Sequence, residues 1–122
     1  ISGNLVIKLD CQVVSFLFTG ELSDSENREL VRGLYPLSCK VLLAKSQGGK
    51  AGVAESLLEK ANPEYVVISC GDSPYYPSPQ LLADLKKKGK TVLRTDESGA
   101  ISFFVRGNSL KIKTEKERMK NL

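Results

Sequence analysis

Apolar residues along the chain come in short dense runs separated by polar stretches with helical spacing. "NLVIKLD" and "VVSFLFT" are β-branched and aromatic, which predicts two strands with "DCQ" as a tight connection. "SDSENRELVRGLY" then reads as a helix. Ser23 or Asp24 can cap it, acidic residues crowd its first turn, and Gly33 supplies a stop. Leu30, Val31 and Leu34 would be its apolar stripe. "CKVLLA" is a fully apolar strand, and "GVAESLLEKAN" is a helix with Val53, Leu57 and Leu58 on one face and Asn62-Pro63 at its end. "EYVVISCG" is another buried strand. The three prolines of "DSPYYPSP" make a loop, and "SPQLLADLKKKG" is a helix capped by Ser78, with Pro79 first and Gly89 past its end. "TVLRT", "AISFFVR" and "SLKIKT" are strands. Asp96 to Gly99 forms the turn between the first two, and Gly107-Asn108 the turn between the last pair. The predicted order is ββαβαβαβββ, an α/β fold with a mixed sheet and covering helices. Residues 1–114 are read as a single domain, and 115–122 as a polar C-terminal tail or a frayed helix.

Charge adds an asymmetry. From Lys86 to Leu122 there are 11 Lys/Arg against 4 Asp/Glu, whereas residues 1–85 hold 7 against 10. A basic C-terminal third can meet a polyanion, although a solvated lysine-rich face is the plainer account. Cys11, Cys39 and Cys70 lie beside apolar runs without C-x-x-C spacing, and are read as small buried hydrophobes. The 122 residues contain no histidine. That removes Ser-His and Cys-His nucleophilic catalysis and the commonest zinc ligand.

Several stretches are candidates for chemistry. In "KSQGGK", Gly48, Gly49 and Lys50 fall where a strand-to-helix loop would cradle a phosphate. This is not a Walker A motif, because Ala44 stands at the first glycine position and Ala51 follows the lysine. Glu21, in "FTGEL", sits where α/β proteins display functional carboxylates, and it also suits the N-terminus of the next helix. Tyr75 and Tyr76 can stack on a base or pack under their proline-rich loop. Lys86, Lys87, Lys88 and Lys90 suit both a helix C-terminus and a nucleic-acid contact.

Together, "LFTGEL", "CKVLLAKSQGGKAGVAESLLEKANPEYVVISCG" and "YYPSPQLLADLKKKGKTVLRTDESGAISF" resemble the C-terminal half of the metallo-β-lactamase-like domain in the ComEC family of DNA-uptake competence proteins. "RTDESGAI" and "PEYVVISCG" match that family's pattern best. The resemblance implies half of a metallo-β-lactamase-like αββα sandwich. It also implies that the family's metal-ligand positions are degenerate here, with Glu21 for an aspartate, Ser46 and Gln47 for a histidine pair, and Tyr76 and Ser78 for the histidines of an H-P-H-P segment. No catalytic residue, metal or other cofactor is therefore expected.

The leading expectation is a non-catalytic domain of a competence protein, touching DNA phosphates through Lys50, Lys86–Lys90 and the C-terminal lysines. The first alternative is part of an active metal-dependent hydrolase or nuclease whose ligands lie on other segments. The second is a ligand-free dimerisation module. A chain opening at Ile1 without methionine is read as a processed product or an excised piece, in the frame of the resemblance a soluble domain of a bacterial inner-membrane protein with no membrane insertion of its own. Half a sandwich should expose an apolar sheet face, so a homodimer or docking onto missing segments is expected.

Overall fold

The computed structural model describes residues 4–45, 48–49 and 52–120, the last three by backbone alone. Five strands form one sheet in the order β1-β2-β3-β4-β5: β1 Ile7–Cys11, β2 Val14–Phe18, β3 Val41–Leu43, β4 Tyr65–Ile68 and β5 Thr91–Arg94. β1 and β2 form an antiparallel hairpin closed by Gln12 at φ 55°, and β2 to β5 are mutually parallel. Helices α1 (Asp24–Arg32), α2 (Glu55–Ala61) and α3 (Pro79–Lys87) make the crossovers between successive parallel strands.

Strand order explains the layers. Each crossover steps one strand in the same direction, and crossovers of the usual right hand then place every helix on one face. The core agrees. Leu17, Leu42, Val66 and Ile68 point from the sheet into Leu57, Leu58 and Ala61 of α2 and Leu81 and Leu85 of α3, with Leu30 and Val31 of α1 alongside. The other face carries Val14, Phe16, Val41, Tyr65 and Val67, and a second antiparallel ribbon lies over it. This ribbon is β6 (Ile101–Arg106) and β7 (Ser109–Thr114), turned at Gly107 (φ 58°). Phe103, Val105 and Leu110 face the sheet, and the Phe103 ring meets Phe16 edge-on at 5.6 Å.

Caps follow the sequence closely. Ser23 accepts from the Glu26 amide while the Glu26 carboxylate accepts from the Ser23 amide, a reciprocal capping box that holds Glu26 below the usual carboxylate range. Gly33 ends α1. Ser78 caps α3 with Pro79 at its first position, and Asn62 takes the left-handed conformation after α2.

Four expectations need correction, and one open alternative is decided. Leu34 is fully exposed, because α1 stops at Arg32 before Leu34 can join the stripe of Leu30 and Val31. The segment after β5 is a one-turn helix, α4 (Thr95–Ser98), rather than a simple turn. The predicted helix from Gly52 begins only at Glu55. Of the two readings of the tail the helical one holds: it starts as helix α5 (Glu115–Lys120) and is tied to the fold where the Ala100 amide donates to the Glu115 carboxylate at 3.1 Å. Lastly, the apolar inner face is covered in its middle by the chain's own ribbon, since β6 and β7 fold over the sheet instead of extending it. Of the cysteines, Cys39 is buried, which pushes its thiol up to about 11, while Cys11 and Cys70 are half-buried.

Candidate functional site at the carboxyl edge of the parallel strands

In open α/β sheets, ligand sites collect beyond the carboxyl ends of parallel strands. Here that edge gathers Thr19-Gly20-Glu21 after β2, the loop after β3, Ser69-Cys70 after β4 and Thr95-Asp96 after β5. The strand order never reverses, so no switch-point crevice opens and the loops alone shape this edge.

The loop after β3 closes on itself. The Gly48 amide donates to the Lys45 carbonyl at 3.1 Å, Gly52 donates to Gly49 at 2.7 Å, and Lys45 donates to Gly52 at 2.9 Å. Gly48 has φ 77° and lies against Ile68 and Pro77, and its carbonyl accepts from the Ser78 amide at 2.6 Å. The loop is thereby joined to the start of α3. The Gly48 and Gly52 amides are engaged in turn closure, and α2 has no side-chain cap at Ala54. The Lys45 ammonium is directed to the Leu22 carbonyl. Ser46, Gln47 and Lys50 lie outside the described residues.

The other sequence candidates are separated. Glu21 is exposed after the β2 edge, and its backbone carbonyl accepts from Asn4 at 2.9 Å. Tyr76 is exposed in front of a cis peptide to the buried Pro77. Ser78 is buried, with its hydroxyl accepting from the Leu81 amide at 3.4 Å as the α3 cap. Lys86, Lys87, Lys88 and Lys90 stand at the opposite end of α3, about 13 Å along its axis. There Lys88 pairs with Asp84 and Glu55, and Lys90 donates to the Asn62 side chain at 2.7 Å. Lys86 and Lys87 are exposed. The glycine loop and the lysine cluster therefore occupy opposite edges of the sheet and do not form one patch.

Among the described residues, no group of three or more His, Cys, Asp or Glu side chains converges as a metal site. A zinc centre needs several N, S or O donors meeting at about 2 Å. A Glu21 without histidine and a Ser78 engaged as a helix cap do not fit such a centre.

Sequence reading missed what "RTD" does. Thr95 Oγ1 accepts from the Cys70 amide at 2.8 Å and donates to the Cys70 carbonyl at 2.9 Å, stapling the ends of β4 and β5 together. The Arg94 guanidinium takes Asp96 in a two-pronged pair, at 3.0 Å and 2.7 Å, and reaches Glu97 at 3.1 Å. Hydrogen bonding from Arg94 is the first cause holding the Asp96 carboxyl below its ordinary value of 3.8. Cys70 sits beside this pair, and burial pushes its thiol up. A depressed carboxyl contributes stability above its unfolded value and loses it as pH falls through the folded one. Wild-type protein should therefore lose more stability than Asp96→Asn between about pH 5 and pH 2, as read from urea midpoints. Parallel pH profiles for the two would refute a structural role for the pair.

No family model matches the chain. Over 104 residues it is 26% identical to ComE operon protein 3 of Bacillus subtilis (strain 168). The match takes in 84% of this chain and 13% of that protein, so the chain spans about an eighth of the relative's length. The likeness supports the competence-associated side of the resemblance read from the motifs. The metallo-β-lactamase-like side depends on those motifs alone. No helix among the described residues is long and apolar enough to cross a membrane.

Proposed function

We propose that this chain is a non-catalytic domain of metallo-β-lactamase type, acting in DNA uptake as part of a competence protein. The likeness to ComE operon protein 3 across most of the chain is the observation that carries this reading. The donor set supports the non-catalytic part: the sequence has no histidine, and Ser78, at one ligand position of the resemblance, is a helix cap. Hydrolytic centres of this type need a metal to generate hydroxide and polarise the substrate, and Glu21 by itself cannot hold one.

The purified chain should bind no zinc or manganese stoichiometrically in elemental analysis, and should leave a labelled oligonucleotide uncut. It should nevertheless retard single-stranded DNA at low salt, with affinity falling steeply as salt rises. Tight zinc binding with DNA cleavage would overturn the non-catalytic reading in favour of the hydrolase alternative. No DNA binding at low salt would remove the DNA contact.

A second reading, an assembly module, is favoured by one surface. The ribbon covers β2 to β4 but leaves the β1 side open, where Ile7 (47% exposed), Leu9 (48%) and Phe18 (38%) lie on one sheet face. Leu9 and Phe18 border an apolar cleft of about 530 Å³ reaching to Phe103. A second copy of the chain docked on this face would appear as a dimer in light scattering and would be lost in Leu9→Lys.

A further inference from the structure

The outer face of the β6–β7 ribbon combines cations with an exposed aromatic ring. Alternation along the strands sends Ile101, Phe103, Val105, Leu110 and Ile112 inward. It leaves Phe104, Arg106, Lys111 and Lys113 outside, with Ser102 across from Lys113 and Ser109 across from Arg106. From Ile101 to Thr114 there are three cations and no Asp or Glu. Phe104 lies directly across from Lys111, and the Lys113 ammonium stands 5.5 Å from its ring centroid. Phe104 is 52% exposed. Phe104, Arg106, Ser109, Lys111 and Lys113 line an open concavity of about 510 Å³.

We propose that this face binds single-stranded nucleic acid, with Phe104 stacking on a base and Arg106, Lys111 and Lys113 meeting the phosphates on either side. Outward residues of one strand recur about every 7 Å, so the cations form a graded row along the ribbon with the ring in its middle. An unpaired base presents a π-face to such a ring, whereas a duplex keeps its bases stacked inside. Charge on a ribbon also guards its edges against pairing with other strands. That explains two lysines on β7 but gives no reason for an exposed aromatic between cations. An anionic membrane would want several apolar side chains to insert, and only one is offered. The proposal deepens the DNA-uptake reading above and rests on it only for the choice of DNA over RNA.

The test is fluorescence anisotropy of the full chain with labelled oligodeoxythymidylate, oligouridylate and duplex DNA over a salt series. Phe104→Ala should weaken single-strand binding about tenfold and leave the salt slope unchanged, and Phe104→Trp should restore it. Lys111→Gln with Lys113→Gln should weaken binding and flatten the slope of log Kd against log salt by about 1.4. Both sets are outward-facing, and unchanged urea midpoints would exclude unfolding as the cause. If these variants bind like wild type while Lys86→Gln with Lys87→Gln does not, the ribbon proposal falls and the DNA reading stands. Binding of oligouridylate alone keeps the ribbon proposal and sinks the DNA reading. Tighter binding to duplex, equal binding to an acidic peptide or anionic vesicles, or loss with the lysines but not with Phe104 overturns the ribbon proposal. No binding of any strand at low salt overturns both.

Discussion

Gly48→Ala is expected to destabilise the protein by about 3 kcal/mol, summing a left-handed backbone cost of ~1–2 with overpacking of ~1–3. The added Cβ would lie 2.6 Å from Cγ2 of the buried Ile68 and 2.9 Å from Cβ of Pro77, both well inside contact distance. Relief by movement is blocked on two sides. The Gly48 amide is bonded to Lys45, its carbonyl accepts from Ser78, and Ser78 in turn caps α3. Two controls separate the contributions. Gly107 also has positive φ (58°) but nothing within 4 Å of its would-be Cβ, so Gly107→Ala should cost about 1 kcal/mol, the backbone part alone. Gly71 has neither a positive φ nor a neighbour within 4 Å, and Gly71→Ala should be close to neutral. Urea unfolding of the three should rank 48, 107, 71. A Gly48→Ala protein as stable as Gly107→Ala would mean that the loop after β3 does not pack on Ile68 as described. The same ranking bears on function, because a Gly48 amide held on the Lys45 carbonyl is not free to receive an anion.

The elements were legible wherever one period dominated. "VLL" and "YVVI" are unbroken apolar runs because β3 and β4 lie inside the sheet with both faces covered. The alternation in "ISFFVR" and "SLKIKT" carried a different message. A strand with one wet face fits a ribbon lying over a sheet better than an interior parallel strand. The order ββαβαβαβββ treats all the strands alike, which is why the covering of the inner face was not foreseen. Leu34 misled because helical spacing continues past a glycine on paper, while the chain leaves the helix at Gly33. The candidate site was less legible still. Spacing could place glycines and lysines on loops and helix ends, but which end of α3 faces which sheet edge is a three-dimensional fact. Only the parallel topology separates Gly48 from Lys86. Thr95 was invisible for a related reason: its partner, Cys70, is 25 residues away and is met through backbone atoms that leave no trace in composition. The outward row of Phe104, Lys111 and Lys113 could have been read from alternation and register across the Gly107-Asn108 turn, had the ribbon's free face been anticipated.

Phe16→Ala should cost about 3–4 kcal/mol, and its effect should concentrate on the ribbon. Phe16 is buried at the centre of the sheet's second face and meets Phe103 edge-on, with ring planes at 78°. Around it lie Val14, Val41, Tyr65, Val67, Val105 and Leu110, a smaller core than the one under the helices. Removing the ring takes away much of what joins β6–β7 to the sheet, whereas the helix-side core lies on the opposite face. Hydrogen exchange should therefore accelerate more in the β6–β7 amides than in β3 and β4. Leu42→Ala, on the opposite face, should cost a comparable 2–5 kcal/mol without that preference. In a double-mutant cycle, Phe16→Ala and Phe103→Ala should couple by about 1 kcal/mol, the edge-to-face contribution beyond simple burial. Equal acceleration across all strands, or no coupling, would mean that the ribbon is held elsewhere. The consequence reaches the ribbon's outer face, since a base can stack on Phe104 only if the strand carrying it is fixed. Phe16→Ala should thus weaken single-strand binding although Phe16 itself points away from any ligand. A Phe16→Leu variant, which refills most of the volume, should recover both the exchange protection and the binding.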